Sequence, residues 1–142
     1  MGDVFEFEMQ KYNDGDLLEY VDDIIVEALE LAARKRIKLW NFTISAKIGQ
    51  FVPILIGCKL VEKIIPVVYP AGTRVRGTDQ VLQGETEFEE RAYDFYIQYD
   101  GVEHNLWLMR NDILQLNQNW LEFTEASTLI IIDLIEEALV QA

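Results

Sequence analysis

YDFYIQYDGVEHNLWL, Tyr93–Leu108, is the stretch that decides the fold. Tyr93, Phe95, Ile97 and Tyr99 alternate with Asp94, Tyr96 and Gln98, the period-two pattern of a strand with one buried face. Asp100-Gly101 follows, a pair suited to the positive φ angles of a tight hairpin, and a return strand runs through Leu106, Trp107 and Leu108. Antiparallel β structure is therefore expected here. Tyr93 and Tyr99 share the face of Phe95 and Ile97 and belong to a core, whereas Tyr96 lies on the opposite face and is the better surface aromatic.

Upstream, Trp40, Phe42, Ile44, Ala46 and Ile48 alternate with Asn41, Thr43, Ser45 and Lys47, a second clear strand. Phe5, Phe7 and Met9 mark a short one. Between them the period changes: Leu17, Val21, Ile24, Ala28 and Leu31 recur at helical spacing, widened by Leu18, Ile25, Leu29 and Ala32. Asp16 and Glu19 read as a capping pair, and the acids Asp16 to Asp23 with the bases Arg34, Lys35, Arg36 and Lys38 complement the helix dipole. Gln50–Lys63 fits either a buried strand or a short helix. After Pro66, Pro70 and Gly72 are expected to turn the chain into a strand carrying Arg74 and Arg76. A last helix from Glu125 to about Val140, capped by Thr124, leaves only a narrow polar face.

Residues 67–116, with PAGTRVRG, an acidic loop, YDFYIQYDG and LWLMRNDILQL, resemble the small SH3-like barrels of Tudor and KOW modules. The resemblance implies an α+β domain: a small SH3-like antiparallel barrel or sheet with an N-terminal and a C-terminal helix packed on it. It implies fold more than function, since such barrels bind peptides or nucleic acids on grooves that Tyr69, Tyr93, Tyr96, Tyr99 and Trp107 would line here.

The chain has 142 residues, half of them apolar, and no linker, repeat or low-complexity segment divides it, so residues 1–142 are expected to form one domain. The start lacks the pattern of a signal peptide, and Glu6 stands where a myristoylation motif after Gly2 needs Ser or Thr. The most apolar window, Phe51–Tyr69, contains Lys59, Glu62 and Lys63 and reads as core rather than membrane. With Cys58 the lone cysteine, a cytoplasmic location is expected.

The net charge of −13 is unevenly spread: −9 over residues 1–30, +8 over 31–76 and −12 over 77–142. Nucleic acid is a disfavoured partner for so acidic a molecule. The loop Gly77–Glu90 holds five carboxylates and no base. On the twelve-residue EF-hand frame, Asp79, Gly84, Glu87 and Glu90 fall at positions 1, 6, 9 and 12, but Val81 and Gln83 occupy positions 3 and 5, so this is not an EF-hand. Calcium takes six to eight oxygens, which Asp79, Gln83, a backbone carbonyl near Glu85, Glu87 and a bidentate Glu90 would supply if the loop folds back on itself. A purely solvated acidic loop is the alternative.

On that loop and its overall acidity, the chain is also similar in type to the small acidic calcium-binding protein of cyanobacteria, which is not an EF-hand protein. The resemblance implies a calcium buffer or signalling sensor. A micromolar Ca²⁺ site at Asp79, Gln83, Glu85, Glu87 and Glu90 is thus one expectation. The other is an acidic interaction module, such as an inhibitor or immunity protein for a basic partner, or an SH3-like peptide adaptor; a large negative field speeds such encounters. Asn13-Asp14-Gly15-Asp16 starts like a metal loop but stands where a helix needs a cap. No enzyme is expected: His104 is the lone histidine, a Cys58–His104 pair would join an apolar run to a hairpin turn, and neither Ser45 nor Ser127 has a nucleophile-elbow context.

Overall fold

The computed structural model describes residues 3–75 and 77–141; Gly2 and Arg76, both singled out above, lie outside the described residues. The element order is β1 (Asp3–Met9), α1 (Asp14–Lys35), β2 (Leu39–Ile48), β3 (Ile54–Tyr69), β4 (Thr86–Tyr99), β5 (Val102–Met109), α2 (Arg110–Gln115) and α3 (Gln118–Gln141). The strands form one mixed sheet in the order β1-β2-β3-β4-β5, with β1 parallel to β2 and every other neighbour antiparallel. The domain is α+β as expected, but the sheet is open, with β1 and β5 as its edges, where the SH3-like resemblance implies a barrel. A parallel β1–β2 pair needs a crossover, and α1 supplies it.

The decisive hairpin is β4–β5: Asp100 and Gly101 both take positive φ, 50° and 78°, and Tyr99 pairs with Val102. Its inward residues Tyr93, Phe95 and Ile97 join Phe42, Ile44, Ala46, Ile56, Cys58 and Leu60 on one face of the sheet. Both long helices cover that face. Leu17, Val21, Ile25 and Leu29 bring α1 down onto it, Ile131 and Ile135 bring α3, and the rings of Phe95 and Phe123 meet at 6.1 Å. Asp22 accepts a hydrogen bond from Thr128 between the helices. The other face of the sheet faces solvent, which is why the strands alternate so cleanly.

Three local expectations change. Asn13, not Asp16, caps α1, its side chain accepting from the Asp16 N–H at 3.0 Å. The last helix begins at Gln118 rather than at Glu125: the Asn117 side chain accepts from the Trp120 N–H, Trp120 and Phe123 are buried, and Thr124 bonds back to the Leu121 carbonyl inside the helix. After Gly72 the expected strand is reduced to a single bridge between Arg74 and Val81. The ambiguous Gln50–Lys63 region is strand from Ile54 on. Among the described residues no helix is long and apolar enough to cross a membrane.

Candidate interaction surface

At 16 and 14 residues, β3 and β4 outrun the strands on their outer sides, β2 with 10 and β5 with 8. β2 pairs with β3 only as far as Leu39↔Val61, and β5 pairs with β4 only as far as Ala92↔Met109. From Ile64↔Arg91 to Tyr69↔Thr86 the two strands pair with each other alone, over six residue pairs. At about 3.3 Å per residue, this ribbon carries the chain roughly 20 Å past the sheet. Here it is called the arm. Pro66 is tolerated within it because each strand of a two-stranded ribbon has one unpaired side.

Side-chain alternation divides the arm into two faces. Lys63, Ile65, Val67 and Tyr69, with Glu90, Phe88 and Thr86 opposite, form the first. The chain beyond Tyr69 folds back as a small hairpin, with Gly72 and Thr73 bonded to Leu82 and Val75 to Gln80. Val75 and Leu82 share a hollow with Tyr69, Phe88 and Glu90, so this face is partly covered. Tyr69 and Phe88 meet edge to face at 5.8 Å, and the Tyr69 hydroxyl donates to Glu90 at 3.2 Å. The second face is bare. It carries Ile64, Pro66 and Val68 opposite Arg91, Glu89 and Glu87, and Ile64 and Val68 are 54% and 52% exposed.

A polar junction fastens the arm to the body. Glu62 accepts from Arg91 Nη1 at 2.8 Å, and the Tyr93 hydroxyl lies 3.3 Å from both Glu62 Oε2 and the Ala32 carbonyl at the end of α1. Arg110 Nη2 donates to the Ala33 carbonyl at 3.3 Å. Burial, and secondarily the Glu62 carboxylate, push the Tyr93 phenol up to about 12, so it stays a donor.

The five expected calcium ligands do not converge. Asp79 accepts from Arg74 Nη2 at 2.9 Å in the tip hairpin. Gln83 and Glu85 are exposed between that hairpin and β4. Glu87 and Glu90 lie on opposite faces of β4, because three residues along a strand reverse the side-chain direction. The fold-back that a calcium shell needs is replaced by strand from Thr86 on. Among the described residues no group of three His, Cys, Asp or Glu side chains is placed to hold a metal ion. Cys58 is buried, which pushes its thiol up, and His104 sits two strands away through Ile97, about 10 Å at the usual strand spacing. Tyr96 lies on the open sheet face, with the Lys59 ammonium 5.1 Å from its ring centroid.

Nothing in the loop pattern flagged the arm. The available signal was β-branched residues continuing from Ile54 to Val68, too many for an ordinary strand, with the 85–90 acids placed to run back alongside. No protein-family model matches the chain, and comparisons with curated proteins and with solved structures find no match either.

Proposed function

We propose that the protein is an acidic docking module that binds a basic polypeptide surface through its arm. One observation carries this reading: a ribbon projecting past the sheet that presents bare Ile64, Pro66 and Val68 beside Glu87 and Glu89. An unsupported two-stranded ribbon is marginal by itself, and apolar residues on it gain nothing until a partner covers them. Carboxylates along the same face favour a cationic partner and disfavour an acidic one, giving selectivity and a fast, salt-sensitive encounter. The calcium reading lacks comparable support, because Glu87 and Glu90 point to opposite faces of β4 and Asp79 is paired with Arg74.

The test compares capture of partners from an extract of the source cells by the native chain and by Ile64→Ser plus Val68→Ser. The double variant is expected to keep its fold and to lose bound protein that salt also releases. Identical capture by both would refute an arm-mediated role.

A further inference from the structure

We infer that the basic surface is the Arg34–Lys38 corner of a second copy of this chain, the two copies exchanging arms about a two-fold axis. This rests on the docking role of the arm and names its occupant.

The corner is the end of α1 and the turn into β2. Arg34, Lys35, Arg36 and Lys38 are all exposed there, and the ion pairs found among the described residues use Lys63, Arg74 and Arg91 instead. The helix dipole accounts for Arg34 and Lys35 in the last turn and for Arg36 at the C-cap, and acts least on Lys38, two residues further on. In a chain with 25 acids and 12 bases, four unpaired cations in one corner are a concentrated positive surface. They match the bare arm face in sign: four cations against Glu87 and Glu89, which flank Ile64, Pro66 and Val68.

Among the described residues, no ion pair joins Glu87 or Glu89 to the corner of the same molecule. The corner lies at the root of the arm, where the Glu62 N–H donates to the Lys38 carbonyl at 2.8 Å and Leu39 pairs with Val61. Glu89 and Glu87 pair with Pro66 and Val68, four and six residues further out, about 13 and 20 Å from the root. A surface at the root and its complement toward the tip are satisfied at once when two arms lie antiparallel, each outer half on the other's corner. That arrangement is self-complementary and closed.

Sedimentation velocity on the purified full chain tests this, from about 1 to 300 µM at roughly 50 and 500 mM salt. The native chain is expected to dimerise at low salt and to dissociate at least tenfold more readily at high salt. Lys35→Glu plus Lys38→Glu, and separately Glu87→Lys plus Glu89→Lys, are expected to be folded monomers. Mixed in equal amounts, they form a heterodimer, because the acidic arm of the first then meets the unaltered basic corner of the second, while the reversed arm meets a corner reduced from four positive charges to a net charge of zero. A native chain monomeric throughout, or a dimer indifferent to both reversals, would overturn the inference. If the native chain is monomeric while Ile64→Ser plus Val68→Ser still loses a salt-released partner, only the second-copy occupant falls. A dimer unaffected by every arm substitution, with partner capture also unchanged, would sink the docking role itself.

Discussion

Replacing Glu62 by Gln tests the junction that sets the arm in place. The Glu62 side chain is only 7% exposed and accepts from Arg91, which is 50% exposed, at 2.8 Å. A hydrogen bond to a charged partner contributes about 1.5–3 kcal/mol. Half-exposure of Arg91 lets water take back part of that, since freed guanidinium is solvated rather than stranded. Gln retains an oxygen for the Tyr93 hydroxyl, so that contact survives. The expected loss is about 1–2 kcal/mol, or roughly 3–6 °C in Tm for a chain of this size. Thermal denaturation gives the total, and amide hydrogen exchange locates it: residues 64–69 and 86–91 are expected to exchange faster while β2 and α3 are unchanged. A cycle with Arg91→Gln should return a coupling of about 1 kcal/mol. Zero coupling, or a loss spread evenly over the core, would refute the junction as the anchor of the arm.

Arg36 ends α1 in the left-handed conformation, φ 53°, which glycine adopts without a side-chain penalty. Arg36→Gly is therefore expected to stabilise the fold by up to about 1 kcal/mol in urea unfolding while weakening any contact that uses the corner. Tyr93 ionises near 12 in the folded chain and near 10 when unfolded, so its contribution is intact below about pH 10 and is lost as pH rises through 12. Urea midpoints should fall across that window in the native chain and fall less in Tyr93→Phe; the buried Cys58 thiol, also raised, adds a loss that begins lower, above about pH 8.5. Calcium at about 1 mM is expected to leave Tm unchanged, whereas a 10 µM site would stabilise the fold by roughly 2.7 kcal/mol and be seen at once.

Much of the body is legible in the sequence because each of its elements has one wet and one dry side. Trp40–Ile48 and Tyr93–Tyr99 alternate, and Leu17 to Ala32 recur at helical spacing. Partners are less legible: Phe5, Phe7 and Met9 mark a strand, but alternation does not say that it runs parallel to β2. The arm was hidden for the opposite reason. Beyond Glu62 neither side of β3 meets the core, so the chain reads Ile-Ile-Pro-Val-Val with no period, and its acidic return strand looks like a loop. Spacing against an ion-binding frame then matched residues whose directions in space are opposed, as Glu87 and Glu90 are. Trp120, Phe123, Thr124 and Ser127 did carry the helical period that starts α3 earlier than Thr124.

Disulfide trapping tests the docking of the arm most directly. Lys38→Cys and Glu89→Cys are made as separate chains in a Cys58→Ala background, mixed, and oxidised at low salt. Within one chain the two positions are about 13 Å apart along β3, too far to bridge. A covalent heterodimer that high salt suppresses is the expected product; no cross-linked heterodimer from two folded variants would contradict the exchange of arms.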